Sequence, residues 1–398
     1  MKSHGVFYED ARFMAAFPSL CLSSTGEVLL VFRRAPDSRW LLGATYDSTE
    51  DKDEAEAEDK HGAEDEKSVD LQSHLFHWDA RSQLVAMRFD QALEPTAPLL
   101  GLSIDGQAAD QDASLLLLET GEVLLSSFSW YPMPPAFAKL AKAWQGTPYG
   151  GPANTGCSFI AWGSYTRLLS PENNQWSERQ YLPELPGAKP LVPGLRTSHG
   201  GCVRGQAILR NGEVLMPSYS EVDGSYSAHL FASNDHGRTW QYRSQMASHE
   251  SLNLYEPSLT LCSDGTLIAW IRTNDARDRM ASARSSDGGH SWQPCKLHET
   301  IGHPAHGLRL RSGKILLTYG FRHEGFGVRA RLLNESGDDI DEVEELIIRS
   351  DGNGTDLGYP WSIEMDDGRV LIAYYFTSDE GVRNISYTTI SLDPNPLR

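Results

Sequence analysis

One phrase recurs six times along the chain: an apolar run, a turn carrying Gly, and a second apolar run. It reads FPSLCLSSTGEVLLVFRR from Phe17, ASLLLLETGEVLLSSFS from Ala113 and GQAILRNGEVLMPSYS from Gly205. It returns as PSLTLCSDGTLIAWIRT from Pro257, HGLRLRSGKILLTYGFR from His306 and YPWSIEMDDGRVLIAYYF from Tyr359. Each copy is a β-hairpin by pattern, with alternating or continuous apolar residues flanking an Asn-Gly, Asp-Gly or related turn. A third strand follows, as in SQLVAMRF, AHLFASND and MASARSSD. Two third strands run into a shared turn, Ser-x-Asp-x-Gly-x-Thr/Ser-Trp, at Ser233–Trp240 and Ser285–Trp292; SPENNQW, ending at Trp176, is a weaker echo. In that turn the Asp accepts backbone N–H bonds, the Gly supplies the unusual φ and the Trp packs between sheets. Small sheets of three or four strands cannot bury two faces alone, but arranged radially they cover one another. The expectation is an all-β chain, a six-bladed β-propeller in one domain over residues 1–398, with the first strand completing the last blade. Only 134–146, PPAFAKLAKAWQG, reads as a helix, and a short one.

Charge is unevenly spread. Of a net charge of −19, the stretch 47–70 supplies −9, from 12 Asp/Glu against 3 Lys. Nothing in it can be buried, so an acidic, flexible, solvated insertion is expected over about 46–72. An acidic chain is a poor nucleic-acid binder, because neutralising phosphates needs a basic face. No run reaches the roughly 20 apolar residues of a membrane span. The opening MKSHGVFYEDARF has no apolar leader core, and five scattered cysteines suit a reducing compartment. The expectation is a cytoplasmic protein with neither nucleic-acid nor membrane partners.

The shared turn is the Asp box, and Asp boxes on six blades resemble the sialidase (neuraminidase) superfamily. That family uses a tyrosine nucleophile where the last blade begins, and Gly358-Tyr359-Pro360-Trp361-Ser362 is similar to its passage, with Pro where Ser is usual; the resemblance makes Tyr359 the nucleophile. Tyr255-Glu256-Pro257 opens an earlier blade and Arg272 follows Glu256 by 16 residues, which resembles the family's glutamate partner and its arginine. A further arginine is matched by Arg322, with Arg329 as alternative. The acid/base aspartate is matched by Asp79, nine residues before Arg88, with Asp37 as alternative. The family's Arg-Ile-Pro is Ala16-Phe17-Pro18 here, so the first arginine falls to Arg12 just upstream or Arg34 at the end of the next strand. Arg204, opening a blade, is a further candidate for contact with substrate.

Arginines converging on one point suit a planar anion, because guanidinium forks bind carboxylates bidentately and stay charged. They let an acidic protein hold an acidic sugar, since the local field outweighs net charge. A sugar bearing its carboxylate on the anomeric carbon repels a carboxylate nucleophile, and a neutral phenol avoids this. The phenol needs a base, which the resemblance assigns to Glu256. Asp79 then protonates the leaving oxygen and activates water, giving retention through a tyrosyl-glycoside. No metal or cofactor is needed. His199, His303 and His306 lie at blade starts without metal-ligand spacing. Trp130, Tyr131 and Trp162 suit packing or sugar stacking. The resemblance therefore implies an exo-glycosidase releasing sialic acid or a related acidic sugar from a glycan. A hydrolase or lyase for another acidic glycan and a non-catalytic carbohydrate- or protein-binding propeller are the alternatives, since fold does not decide among them.

Overall fold

A computed structural model describes residues 2–37, 79, 81–103, 109–133, 158–187, 200–222 and 224–392. The acidic insertion, the 134–146 segment and His199 lie outside the described residues. Among those described, every regular element is a β-strand.

The chain opens on β1 (Lys2–Tyr8) and then builds six sheets in order. Blade 1 is β2 (Phe13–Leu22), β3 (Val28–Pro36), β4 (Gln83–Phe89) and β5 (Leu100–Gly101). Blade 2 holds β6 (Ala109–Asp110), β7 (Ser114–Leu117), β8 (Val123–Met133), β9 (Ser158–Leu169) and β10 (Gln180–Tyr181). Blade 3 is β11 (Ile208–Arg210), β12 (Glu213–Val222), β13 (Ser225–Ser233) and β14 (Gln241–Ala247). Blade 4 is β15 (Leu254–Leu261), β16 (Leu267–Thr273), β17 (Arg279–Ser285) and β18 (Lys296–Ile301). Blade 5 is β19 (Ala305–Arg309), β20 (Ile315–Phe321), β21 (Gly327–Leu333) and β22 (Glu345–Arg349). Blade 6 is β23 (Gly358–Glu364), β24 (Val370–Thr377) and β25 (Arg383–Ile390), and β1 pairs antiparallel with β25 as its fourth strand. The six hairpins read from the sequence are the inner pairs of these six sheets.

Apolar side chains alternate onto both faces of each sheet, so the core is not one mass but six layers, each shared by two neighbouring blades. Leu29, Val31, Leu115 and Leu125 fill the layer between blades 1 and 2. Leu124, Val214, Met216 and Phe231 fill the next. The sixth joins Phe32 and Phe89 of blade 1 to Trp361, Leu371 and Tyr375 of blade 6, closing the ring. The inner strands are also tied across blades by hydroxyls. Ser19 Oγ accepts from the Leu115 N–H at 2.8 Å, and Thr260 Oγ1 donates to the Gly307 carbonyl at 2.8 Å.

Both Asp boxes form the expected turn. Asp235 Oδ1 accepts from the backbone N–H of Arg238 (3.1 Å) and Thr239 (2.8 Å), and Gly237 sits at φ 82°. Trp240 Nε1 donates to Thr166 Oγ1 of the preceding blade at 3.1 Å. Trp292 repeats the bond, to Ser244 Oγ at 3.1 Å. Each box thus pins its blade to the one before it.

Candidate functional site

In an antiparallel sheet the start of the first strand and the end of the second share one edge, so these positions from different blades meet at one pole of the ring. Three inner strands start in the same unusual way. Phe17, Glu256 and Tyr359 sit in left-handed backbone, at φ 56°, 47° and 48°, and each precedes a proline. Each marks a break in register with the second strand, between Ala16 and Ser19, Tyr255 and Ser258, and Gly358 and Trp361. Such a bulge re-aims a side chain that regular pleating would send between blades. A proline there forfeits no ladder bond, because the bulge has already broken the ladder.

Re-aiming brings Tyr359 and Glu256 together. The Tyr359 hydroxyl donates to Glu256 Oε1 at 2.5 Å. Arg272, near the end of β16, places Nη1 3.1 Å from Glu256 Oε2 and 3.2 Å from the Tyr359 oxygen. Tyr359 and Glu256 are buried, whereas the Arg272 side chain is 27% exposed, so the cluster opens to solvent on its arginine side. Arg322, just past β20, lies with Cζ 5.5 Å from the Tyr359 ring centre and donates to the Leu357 carbonyl at 3.4 Å. Among the described residues no carboxylate pairs with it. Arg329 is elsewhere: it packs 4.5 Å over Phe321 and reaches the Gly325 carbonyl at 2.6 Å and Glu345 at 3.4 Å. Of the two alternatives, Arg322 is therefore the one beside the phenol.

The electrostatics follow from this packing. Burial pushes the Tyr359 hydroxyl well up and Glu256 adds to the push, outweighing Arg272 and Arg322, so the phenol is neutral. Burial would also raise Glu256, but the Arg272 charge, the Tyr359 hydrogen bond and His303 together hold it below the usual carboxylate range. A neutral phenol thus hydrogen-bonds an ionised carboxylate, a base in contact with its proton.

The other expected residues divide. Asp79 is buried and held by Arg81, which donates from its backbone N–H at 2.7 Å, Nε at 2.9 Å and Nη2 at 2.7 Å. Its charge reaches Arg33, but no described contact joins it to Tyr359. Asp37 is also buried, its N–H on the Arg12 carbonyl at 2.8 Å. Arg12 is not gathered into the cluster: its side chain is 77% exposed and bound to Asp10 at 2.7 Å. Arg34 is not either; it lies 4.2 Å over Phe13 and contacts the Tyr8 hydroxyl at 3.5 Å. Neighbours on a strand face opposite sides, so along β3 Arg34 shares the side of Leu30 and Phe32, and Arg33 that of Leu29 and Val31. Arg33, not Arg34, comes close to Tyr359, through the Phe17 ring at the break in register of β2. It is wholly buried, 5.9 Å over the Phe17 ring, which packs edge-on against Tyr359 at 4.7 Å. Arg204 reaches the cluster from below, buried beneath the Tyr359 ring with Cζ 5.0 Å from its centre, so it does not line the open side.

His303 is buried with Nε2 3.1 Å from Asp278, and His306 is buried 4.5 Å from the Trp361 ring. Trp130 is buried, while Tyr131 and Trp162 stack at 5.2 Å at the end of blade 2. Sequence reasoning missed Arg33 and Asp112. Asp112 Oδ2 lies 3.3 Å from Arg204 Nε, and burial pushes its carboxyl up to about 7 against the pull of Arg204. A signal existed for it. Phe17, Asp112, Glu256 and Tyr359 each stand nine residues ahead of the turn glycine of their hairpin, at Gly26, Gly121, Gly265 and Gly368.

Close approach of blades 3 and 4 fixes Glu256 from the other side. A Cβ on Gly205 would stand 1.9 Å from the Pro257 carbonyl. Gly205→Ala is therefore expected to cost about 1–3 kcal/mol by overpacking, read as a lower urea midpoint; an unchanged midpoint would show that the two strands part freely.

A family model described as a BNR repeat-like domain matches residues 151–372, or 222 of the 398. The chain belongs to this BNR repeat-like family. Its architecture is that of solved sialidases. A protein of unknown function from Dyadobacter fermentans superposes with a TM-score of 0.80 at 29% identity, over 98% of both chains. NanB sialidase from Streptococcus pneumoniae gives 0.58 at 12% identity, over 99% of this chain and 71% of that one. Trypanosoma rangeli sialidase in complex with the inhibitor DANA gives 0.60 at 11% identity, over 98% of this chain and 59% of that one. Those two likenesses establish the sialidase-like fold alone, and this BNR-repeat chain spans only part of each enzyme's length. No curated protein sequence matches it.

Proposed function

We propose that this chain is a retaining exo-glycosidase of the sialidase type, releasing a terminal sugar that carries a carboxylate, with sialic acid as the leading substrate. The reading is carried by one observation: the Tyr359 hydroxyl donates to Glu256 while Arg272 contacts both. Glu256 takes the phenol proton as the Tyr359 oxygen attacks the anomeric carbon, and the glycosidic bond breaks as Asp79 protonates the departing oxygen. Asp79 then takes a proton from water, which displaces the tyrosyl oxygen, and Glu256 returns the proton to it. Two inversions leave the configuration retained. Arg272 and Arg322 hold the sugar carboxylate, Arg322 being the cation without a described counter-ion. For Asp79 to act, its carboxyl must leave Arg81, take up a proton from solvent and turn its O–H to the glycosidic oxygen.

Aryl glycosides of sialic acid, related ulosonic acids and uronic acids test the reading, with the first-formed anomer followed by NMR. Turnover with retention is expected. Binding of the acidic sugar with no turnover of any member would favour the carbohydrate-binding alternative. A pH dependence also follows. Glu256 acts ionised, and its carboxyl lies below the ordinary value of 4.5. Because a depressed acid loses its charge only below that value, kcat/KM is expected to hold down to about pH 4.5 and fall beneath it. An acid-side decline centred well above pH 5 would place the base on another group.

A further inference from the structure

Arg204 opens blade 3 yet ends under the nucleophile of blade 6. Its guanidinium is 4% exposed, which leaves no face for a substrate. Nη2 donates to the backbone carbonyl of Tyr359 at 3.3 Å, and Cζ lies 5.0 Å from the Tyr359 ring centre and 5.6 Å from that of Trp361. We propose that Arg204, held by Asp112, is a positioning residue for Tyr359: it fixes the phenol's backbone and lays positive charge against the ring on which phenolate charge develops. This rests on Tyr359 being the nucleophile.

Two features of the cluster require such a support. Tyr359 sits in left-handed backbone, which persists in a non-glycine residue only where the surroundings over-determine it. The Arg204 bond to its carbonyl is a constraint thrown across the ring axis from another blade. Second, as Glu256 withdraws the proton, negative charge spreads from the oxygen into the ring, and a cation over the ring favours that state over the neutral phenol. Arg272 and Arg322 are taken up by the substrate carboxylate in the proposed reaction; Arg204 stays free of it because it is enclosed.

Asp112 sets how much of that charge is felt. Its carboxylate is 3.3 Å from Arg204 Nε, an ion-pair contact. Arg204 from blade 3, Glu256 and Arg272 from blade 4 and Arg33 from blade 1 face it, and its charge is felt by Cys202, Tyr219 and Tyr359. With its carboxyl raised to about 7, Asp112 is protonated below neutrality, which leaves Arg204 without its counter-charge, and ionised above it, which opposes phenolate formation.

The experiment is steady-state kinetics on an aryl sialoside with wild type, Arg204→Gln, Arg204→Lys, Asp112→Asn and Tyr359→Phe. Arg204→Gln is expected to lower kcat and kcat/KM together by roughly 10²-fold with KM within threefold, the pattern of an interaction made in the transition state. Arg204→Lys, keeping the charge, is expected to recover part of the loss. Asp112→Asn is expected to move the alkaline decline upward by at least one pH unit. A raised KM with kcat intact in Arg204→Gln would overturn the proposal, since Arg204 would then hold substrate. If Arg204→Gln does not fold, the alkaline limb of Asp112→Asn decides, and a limb identical to wild type overturns the proposal. An inactive Tyr359→Phe beside a fully active Arg204→Gln removes this inference alone. An active Tyr359→Phe removes the nucleophile reading and this inference with it.

Discussion

Tyr359→Phe is expected to stop turnover of an aryl sialoside while leaving the ring folded. Loss of a covalent nucleophile lowers kcat by on the order of 10³–10⁶-fold, because the general base and the anion clamp have nothing left to activate. The fold survives for a specific reason. Removing the hydroxyl leaves Glu256 Oε1 without its 2.5 Å donor, but Oε2 keeps Arg272 at 3.1 Å, so no buried carboxylate is stranded. The cost is that of one hydrogen bond to a charged group, about 1.5–3 kcal/mol. Thermal unfolding and far-UV circular dichroism check the fold, and initial rates with purified protein check the chemistry. A variant that turns over within tenfold of wild type would assign the nucleophile to another group.

The second large effect is on stability and concerns β1. Seven residues at one end of the chain complete a blade whose other strands lie at the far end. Phe7 is the residue that locks them. Its ring lies 4.6 Å from Phe89 of blade 1 and 4.4 Å from Tyr387 of blade 6. Deleting residues 2–8 therefore strips the layer between first and last blades and leaves β25 with an unpaired edge, and the expected result is loss of the cooperative unfolding transition together with self-association. Phe7→Ala is the graded version, at about 3–5 kcal/mol for a buried aromatic, read from the urea midpoint. A deletion variant with the midpoint of the full chain would show that closure depends on blade-to-blade packing alone.

The repeat made the blades legible because each hairpin carries its own turn residues and alternation, which are local in sequence. Tyr359, Glu256, Arg272 and Arg322 could be singled out because their spacing within a blade matches a known pattern, and the structure brings all four together. The first-blade arginine failed for a reason of geometry. Arg33 and Arg34 are adjacent and face opposite sides of β3; which of them meets Phe17 follows from the break in register of β2 between Ala16 and Ser19, which the sequence marks only by Phe17-Pro18. Arg204 was legible as a residue at a blade start but not as one enclosed beneath a ring, since that depends on blades 3 and 6 meeting across the axis. Asp112 was overlooked because its run, DQDASLLLLETGEV, matches no family passage, although its offset from Gly121 repeats that of Glu256 from Gly265.

The pairing of β1 with β25 has a consequence for synthesis. A nascent chain emerging from the ribosome carries β1 through hundreds of further residues before its partner exists, and the phenol at position 359 follows the carboxylate at 256 by 103 residues. Blades 1 to 5 can form as they appear, yet each intermediate exposes the flank meant for the next. Products that stop before blade 6 therefore have no phenol to place against the carboxylate, and the blade 1 flank stays open until β23 to β25 have emerged.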